Sequence, residues 1–184
     1  MSYTLNQLSQ DIRHTLNADS GPSGRQKICQ FVSKALLDKD FIAEHVTAEQ
    51  CKPRKVLYED PDLGVCICGH VYGDAVKGSP HDHGPTWAIY GVAEKTTEMT
   101  EWKIIKKGSN DSPSLVEPVR SYEMKPGDCH VYEAGDVHSP RMESGTKLIR
   151  IEGGNLDRIQ RSNIKAAQSS IEQLSATDST FGSS

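Results

Sequence analysis

No apolar run in the 184 residues approaches the length of a membrane span, so no membrane role is expected. The opening residues, MSYTLNQLSQDIRHTLNADS, carry neither the apolar stretch nor the small-residue site of a secretory signal, and a cytoplasmic location is the expectation. Charged residues make up 25% of the chain with a net charge of -4, but neither sign forms a long block. A nucleic-acid binder would show a basic stripe, and the absence of one argues against that class of partner. Zinc-type cysteine pairs are missing as well. Five cysteines is an odd count, and Cys66-Ile67-Cys68 is too closely spaced for CxxC chemistry. Free thiols in a reducing compartment are expected. No internal repeat is present.

What remains divides into three parts. Residues 1–52 read as a helical segment packing on the β-rich part of the chain. Leu5, Leu8, Ile12 and Leu16 recur at helical spacing, and Asn17-Ala18-Asp19-Ser20-Gly21-Pro22 breaks the pattern. Ser23 is placed to cap a second helix whose apolar face carries Ile28, Phe31, Val32, Ala35, Leu36 and Phe41. Residues 53–155 change character: short apolar pieces at 55–58, 64–72, 86–92, 98–106, 120–124, 129–132 and 147–152 alternate with turn residues. Such spacing predicts a mainly β domain, an antiparallel sandwich or barrel. Residues 107–113 read as a hairpin-like insertion. Residues 156–184 read as a C-terminal helix, over 156–174, with a frayed tail.

The chemistry concentrates in histidine. His81 and His83 stand two apart, and on a strand both would point the same way. A metal needs ligands converging from separate parts of the chain, and neutral imidazole is the commonest of them. His138, after Gly127-Asp128 and Gly135-Asp136, is the best third ligand. His14 and His45 read as surface residues, while His70 and His130 stay ambiguous. Asp82, between the ligands, should point away from them. Glu94, Glu98 and Glu101 read as a solvated strand and turn.

Gly78, His81 and His83, followed by Gly127, Gly135 and His138, resemble the two motifs of the cupin superfamily over roughly residues 54–155. That resemblance implies a double-stranded β-helix, the jelly-roll barrel, here with N-terminal helices and a C-terminal helix. Trp87 and Ala88 occupy the positions where the superfamily carries a glutamate ligand, and Glu133 stands where proline is usual. A site of three neutral histidines without a carboxylate resembles the thiol dioxygenases, the cysteine dioxygenase and 3-mercaptopropionate dioxygenase group. The run Gly153-Gly154-Asn155-Leu156-Asp157-Arg158-Ile159-Gln160-Arg161 is similar to that group's late turn, and Arg54 falls where it places a guanidinium for the substrate carboxylate. The group's Ser-x-His-x-Tyr triad is replaced here by Leu148, Arg150 and Glu152, and its crosslinking cysteine by Ala88.

If the register of that group holds, Arg150 and Glu152 face the metal cavity. Arg150 would then bind an anionic or carbonyl substrate, and Glu152 would orient it or act as general base; an ion pair bridging strands is the alternative. Trp87 and Tyr72 are expected in the substrate-binding wall, with packing as their simpler role. The resemblance implies one divalent transition metal held by His81, His83 and His138, iron(II) first, with zinc, nickel or manganese also compatible. An iron-dependent dioxygenase of a small anionic thiol, carboxylate or carbonyl compound is the leading expectation. A metal-dependent isomerase or lyase using Glu152, and a non-catalytic small-molecule-binding protein, stand beside it. Exposed barrel edges make a homodimer the expected assembly.

Overall fold

The computed structural model describes residues 2–109 and 111–168. Helix α1 (Leu5–Ala18) opens on a capping box: the Thr4 hydroxyl accepts from the Gln7 N–H, and the Gln7 side chain accepts from the Thr4 N–H. Helix α2 (Pro22–Leu37) is capped by Gly21 with Pro22 in its first turn, so Ser23 lies inside the helix and not at its cap. Proline lacks the N–H that this position leaves unpaired, and its fixed φ is already helical. The apolar face expected to run on to Phe41 breaks at Asp38. Its carboxylate accepts from the N–H groups of Asp40 and Phe41 and starts α3 (Lys39–His45). A single turn, α4 (Ala48–Cys51), leads into the strands.

Ten strands follow among the described residues: β1 (Arg54–Glu59), β2 (Cys66–Val71), β3 (Val76–Lys77), β4 (Ala88–Glu94), β5 (Thr97–Lys106), β6 (Ser114–Met124), β7 (Cys129–Tyr132), β8 (Val137–Met142), β9 (Lys147–Glu152) and β10 (Ile164–Ala166). They form two five-stranded sheets, β1-β2-β9-β4-β7 and β10-β6-β5-β8-β3, the curled, facing sheets of a double-stranded β-helix. All ladders are antiparallel except β10 on β6. Strands β3 and β8 and the first half of β6 were not expected from the sequence.

The helix expected from residue 156 is absent over residues 156–167, and Gln168 is the first helical position there. A 3-10 turn (Leu156–Arg158), capped by Asn155, is followed by β10, whose Ile164-Lys165-Ala166 pair with Ser114-Leu115-Val116. An open β6 edge offers backbone partners that local helical preference cannot match. The rest of that expected helix, and the tail, lie outside the described residues.

Alternation along β9 divides two cores. Ile149 and Ile151 join Ile67 and Ile89 against Leu8, Ile12, Ile28, Val32 and Leu36 of the helices. Leu148 points the other way, with Ala88, Tyr90 and Val92, toward Met99, Met124 and Met142 of the second sheet. Gly91 lets α2 approach, because a Cβ there would lie 2.7 Å from a Leu36 methyl and 2.8 Å from one of Val32. The described cysteines form no disulfide, as expected. No helix among the described residues is long and apolar enough to cross a membrane.

Candidate metal centre

The three histidines come from two segments joined by backbone. His81 and His138 face each other as a bridge, each N–H donating to the other's carbonyl at 3.0 Å. His83 does not sit on a regular strand as expected. It enters a turn at Gly84, whose φ of +62 suits glycine and whose Cβ, if present, would lie 2.5 Å from the Gln160 carbonyl oxygen. Asp82 pins this turn by accepting from the N–H groups of Gly84 and Ser162, both at 3.0 Å, and takes no place among the ligands. The ring centroids lie 4.6 Å apart for His81 and His138, 4.8 Å for His83 and His138, and 5.7 Å for His81 and His83. One ligand nitrogen from each falls within 4.8 Å of the others.

Hydrogen bonding decides which nitrogens face the centre. His81 Nδ1 lies 2.9 Å from the Ser79 carbonyl and donates to it, leaving Nε2 bare. His138 Nδ1 makes a long contact of 3.4 Å to the Asp136 carbonyl, and its Nε2 is buried without a partner. His83 Nε2 lies 3.3 Å from the Tyr90 hydroxyl, and its Nδ1 is buried without a partner. Burial lowers the pKa of all three imidazoles, that of His83 to about 3, so they stand neutral at physiological pH. Two unpartnered buried nitrogens beside a third bare one, with no carboxylate among them, are a donor set that fits a divalent transition ion.

Around this set the inner face of the first sheet presents aligned rows. Cys68, Arg150, Tyr90 and His130 are register partners across β2, β9, β4 and β7. Arg150, on the side of the barrel interior as expected, donates to the Tyr90 hydroxyl at 3.1 Å and so links through that phenol to His83. Glu152, wholly buried, accepts from Arg150 at 2.9 Å, from Arg54 at 2.8 and 3.2 Å, and from the Leu156 N–H at 3.1 Å. Burial alone would raise its pKa. The hydrogen bonds from Arg54, the charge of Arg150 and the Leu156 N–H outweigh burial and hold it at about 2.

Three sequence expectations need correction here. Glu152 is a saturated anchor for two guanidinium groups, not a poised general base. Arg54, expected to await a substrate carboxylate, is already spent on Glu152 and on Asp157 at 2.6 Å. Trp87 lies on the helix-facing side, with the Arg25 guanidinium 5.7 Å from its ring and Gly153 directly beneath it. Ala88 and Tyr90 point inward, so strand alternation turns Trp87 outward. Tyr72 does lie on the inner side, half-buried and stacked on His70 at 6.1 Å.

Other residues surround the centre. Tyr132 stacks on His138 at 3.9 Å, and its hydroxyl meets that of Tyr122 at 2.8 Å. Glu101, read as solvated, is the register partner of His138 and forks onto Arg120 at 2.7 and 2.8 Å. His130 fills the space between Tyr122 and Tyr132 and reaches within 4.0 Å of Glu101. Period-two spacing of Cys66, Cys68 and His70 was the one signal that could have placed His70 on the inner face.

No family model and no curated protein matches the chain. Solved structures do resemble it in part. KdgF from a Halomonas species is 18% identical with a TM-score of 0.43, over 58% of this chain and 82% of its own. A cupin superfamily protein from Desulfitobacterium hafniense is 12% identical with a TM-score of 0.40, over 55% of this chain and 76% of its own. The DMSP lyase DddQ from Ruegeria pomeroyi is 13% identical with a TM-score of 0.42, over 59% of this chain and 49% of its own. At these identities and scores nothing carries over to the site.

Proposed function

We propose that the chain is a mononuclear metal enzyme acting on a small anionic substrate, with His81, His83 and His138 as metal ligands and oxidation by dioxygen as the reaction. The observation that carries this reading is the convergence of three neutral imidazoles with unpartnered buried nitrogens. Iron(II) bound there would supply Lewis acidity and one-electron chemistry, its charge uncompensated by neutral ligands. The neighbours support an anionic substrate. Arg150 is buried on the inner face beside Tyr90 and takes the anionic end of a thiol, carboxylate or carbonyl compound. Glu152 keeps that guanidinium in place. Tyr90 orients the His83 ring from behind.

The contacts of Glu152 also favour oxygen chemistry over isomerisation or elimination. Those reactions need a base to move a proton from carbon, and a carboxyl held at about 2 by two arginines accepts protons poorly at neutral pH. Elemental analysis of the purified protein should show a transition metal, and His138→Ala should abolish its retention. Oxygen uptake should then follow when the iron-loaded protein meets a panel of thiols, thiol acids and diketones. Iron-loaded protein that consumes no oxygen with any of them would remove the dioxygenase assignment.

A further inference from the structure

His70 is 3% exposed and sits on β2, on the same inner face as Cys68. One ring nitrogen bonds the Pro53 carbonyl, and since Nε2 has no partner, the donor is Nδ1–H. The imidazole therefore carries a bare lone pair at Nε2. Burial, with the charge of Arg150 next, lowers its pKa well below the usual value, so Nε2 stays an acceptor and not a donor. An unmet buried acceptor is unfavourable, and native proteins seldom keep one without a reason.

Its neighbours define what would meet it. His70 pairs across the ladder with Leu148, one inward position along β9 from Arg150. Tyr72 stacks on the His70 ring with only 9° between planes, which fixes the direction of the lone pair. Arg150 spends three of its five N–H groups on Glu152 and Tyr90. One stretch of sheet thus offers an acceptor and, diagonally beside it, a guanidinium anchored from behind.

We infer that His70 is the specificity residue of this site, accepting a hydrogen bond from an ammonium or hydroxyl group on a small substrate whose carboxylate meets Arg150. The inference rests on the proposed anionic-substrate reading and narrows it to amino or hydroxy acids. Matched probes test it. L-cysteine and 3-mercaptopropionate differ in the ammonium group, lactate and propionate in the hydroxyl. Calorimetric titration of the metal-loaded wild type should show the donor-bearing member of at least one pair binding about tenfold tighter. The pair that responds tells ammonium from hydroxyl. His70→Leu should erase that preference while leaving the donor-less probe's affinity unchanged, and His70→Gln, which restores an acceptor, should recover part of it. Nitrogen NMR of the wild type gives a readout without any variant: the His70 Nε2 signal should move with lactate or cysteine and not with propionate.

A preference that survives in His70→Leu, or a wild type that distinguishes neither pair, overturns the inference. Metal content measured on each sample separates the two ideas. A metal-retaining wild type that discriminates neither pair sinks the role of His70 alone. A wild type that retains no metal sinks the metal centre, while the Nε2 signal still judges His70.

Discussion

Glu152→Gln removes one charge and turns one acceptor into a donor at a point where every neighbour donates. In the native chain Oε1 accepts from Arg54 and Arg150, and Oε2 from Arg54 and the Leu156 N–H. A glutamine amide can satisfy only one of these sets and points N–H at the other. Removing one member of a buried pair costs about 3–5 kcal/mol. Arg54 keeps its bond to Asp157 and some solvent contact, which favours the lower end. The carboxyl pKa gives the same scale by another route. A fall from 4.5 to about 2 between unfolded and folded chains is worth about 3 kcal/mol at neutral pH. For a chain of this length that lowers the melting temperature by about 6–12 °C.

The pH dependence fixes the sign. A carboxyl whose pKa is depressed by folding stabilises fully above its unfolded value, and the benefit is lost as pH falls toward its folded value. The stability difference between wild type and Glu152→Gln should be flat above about pH 5 and shrink toward zero between pH 4.5 and about 2. Calorimetric melting across that range, on both proteins in the same buffers, makes the measurement. A variant that melts within about 2 °C of wild type at neutral pH yet loses all turnover would refute the anchoring argument and return the carboxylate to a working acid–base role.

Tyr90→Phe should cut the link between Arg150 and His83, lowering metal affinity about 10–100-fold with a stability loss of about 1 kcal/mol; competition with a chelator reads the first, chemical denaturation the second. Metal retention in dialysis should stay level as pH falls from 8 through 6.5 and decline only well below it, because burial already holds His83 near a pKa of about 3. Retention halved at pH 6.5 would mean that the ligands titrate like exposed histidines. Gly91→Ala should destabilise the chain by about 1–3 kcal/mol, since the new methyl meets Val32 and Leu36. An unchanged denaturation midpoint would mean that α2 is not seated on β4 as described.

Most of the barrel could be read from alternation and turns. Strand β9 is the clearest case: Ile149 and Ile151 go to the helices while Leu148 and Arg150 go inward, as the sequence pattern requires. Strand β8 could not be read although it delivers His138, because Pro140 interrupts its run; the structure seats that proline opposite Met99. Pro118 hid the first half of β6 in the same way, and it lies opposite Trp102 beside a bulge in the β5–β6 ladder. The histidine triplet was legible because two of its members are neighbours in sequence. Partners far apart in the chain were not: Glu152 lies 98 residues from Arg54, and no local pattern announces that an arginine is already claimed. Trp87 was misplaced by its closeness to the motif, although strict alternation from Tyr90 would have turned it outward.

The reciprocal peptide bonds between His81 and His138 bear on how this centre is assembled. Two of its imidazoles are stapled together by main chain, across a gap of more than fifty residues, before any ion arrives. Stripping the ion should therefore leave a preshaped cup and not a melted one, in contrast to small zinc modules that unfold without their metal. A cup that exists beforehand selects its occupant by size and supply, and the same polypeptide could exchange one divalent ion for another without refolding.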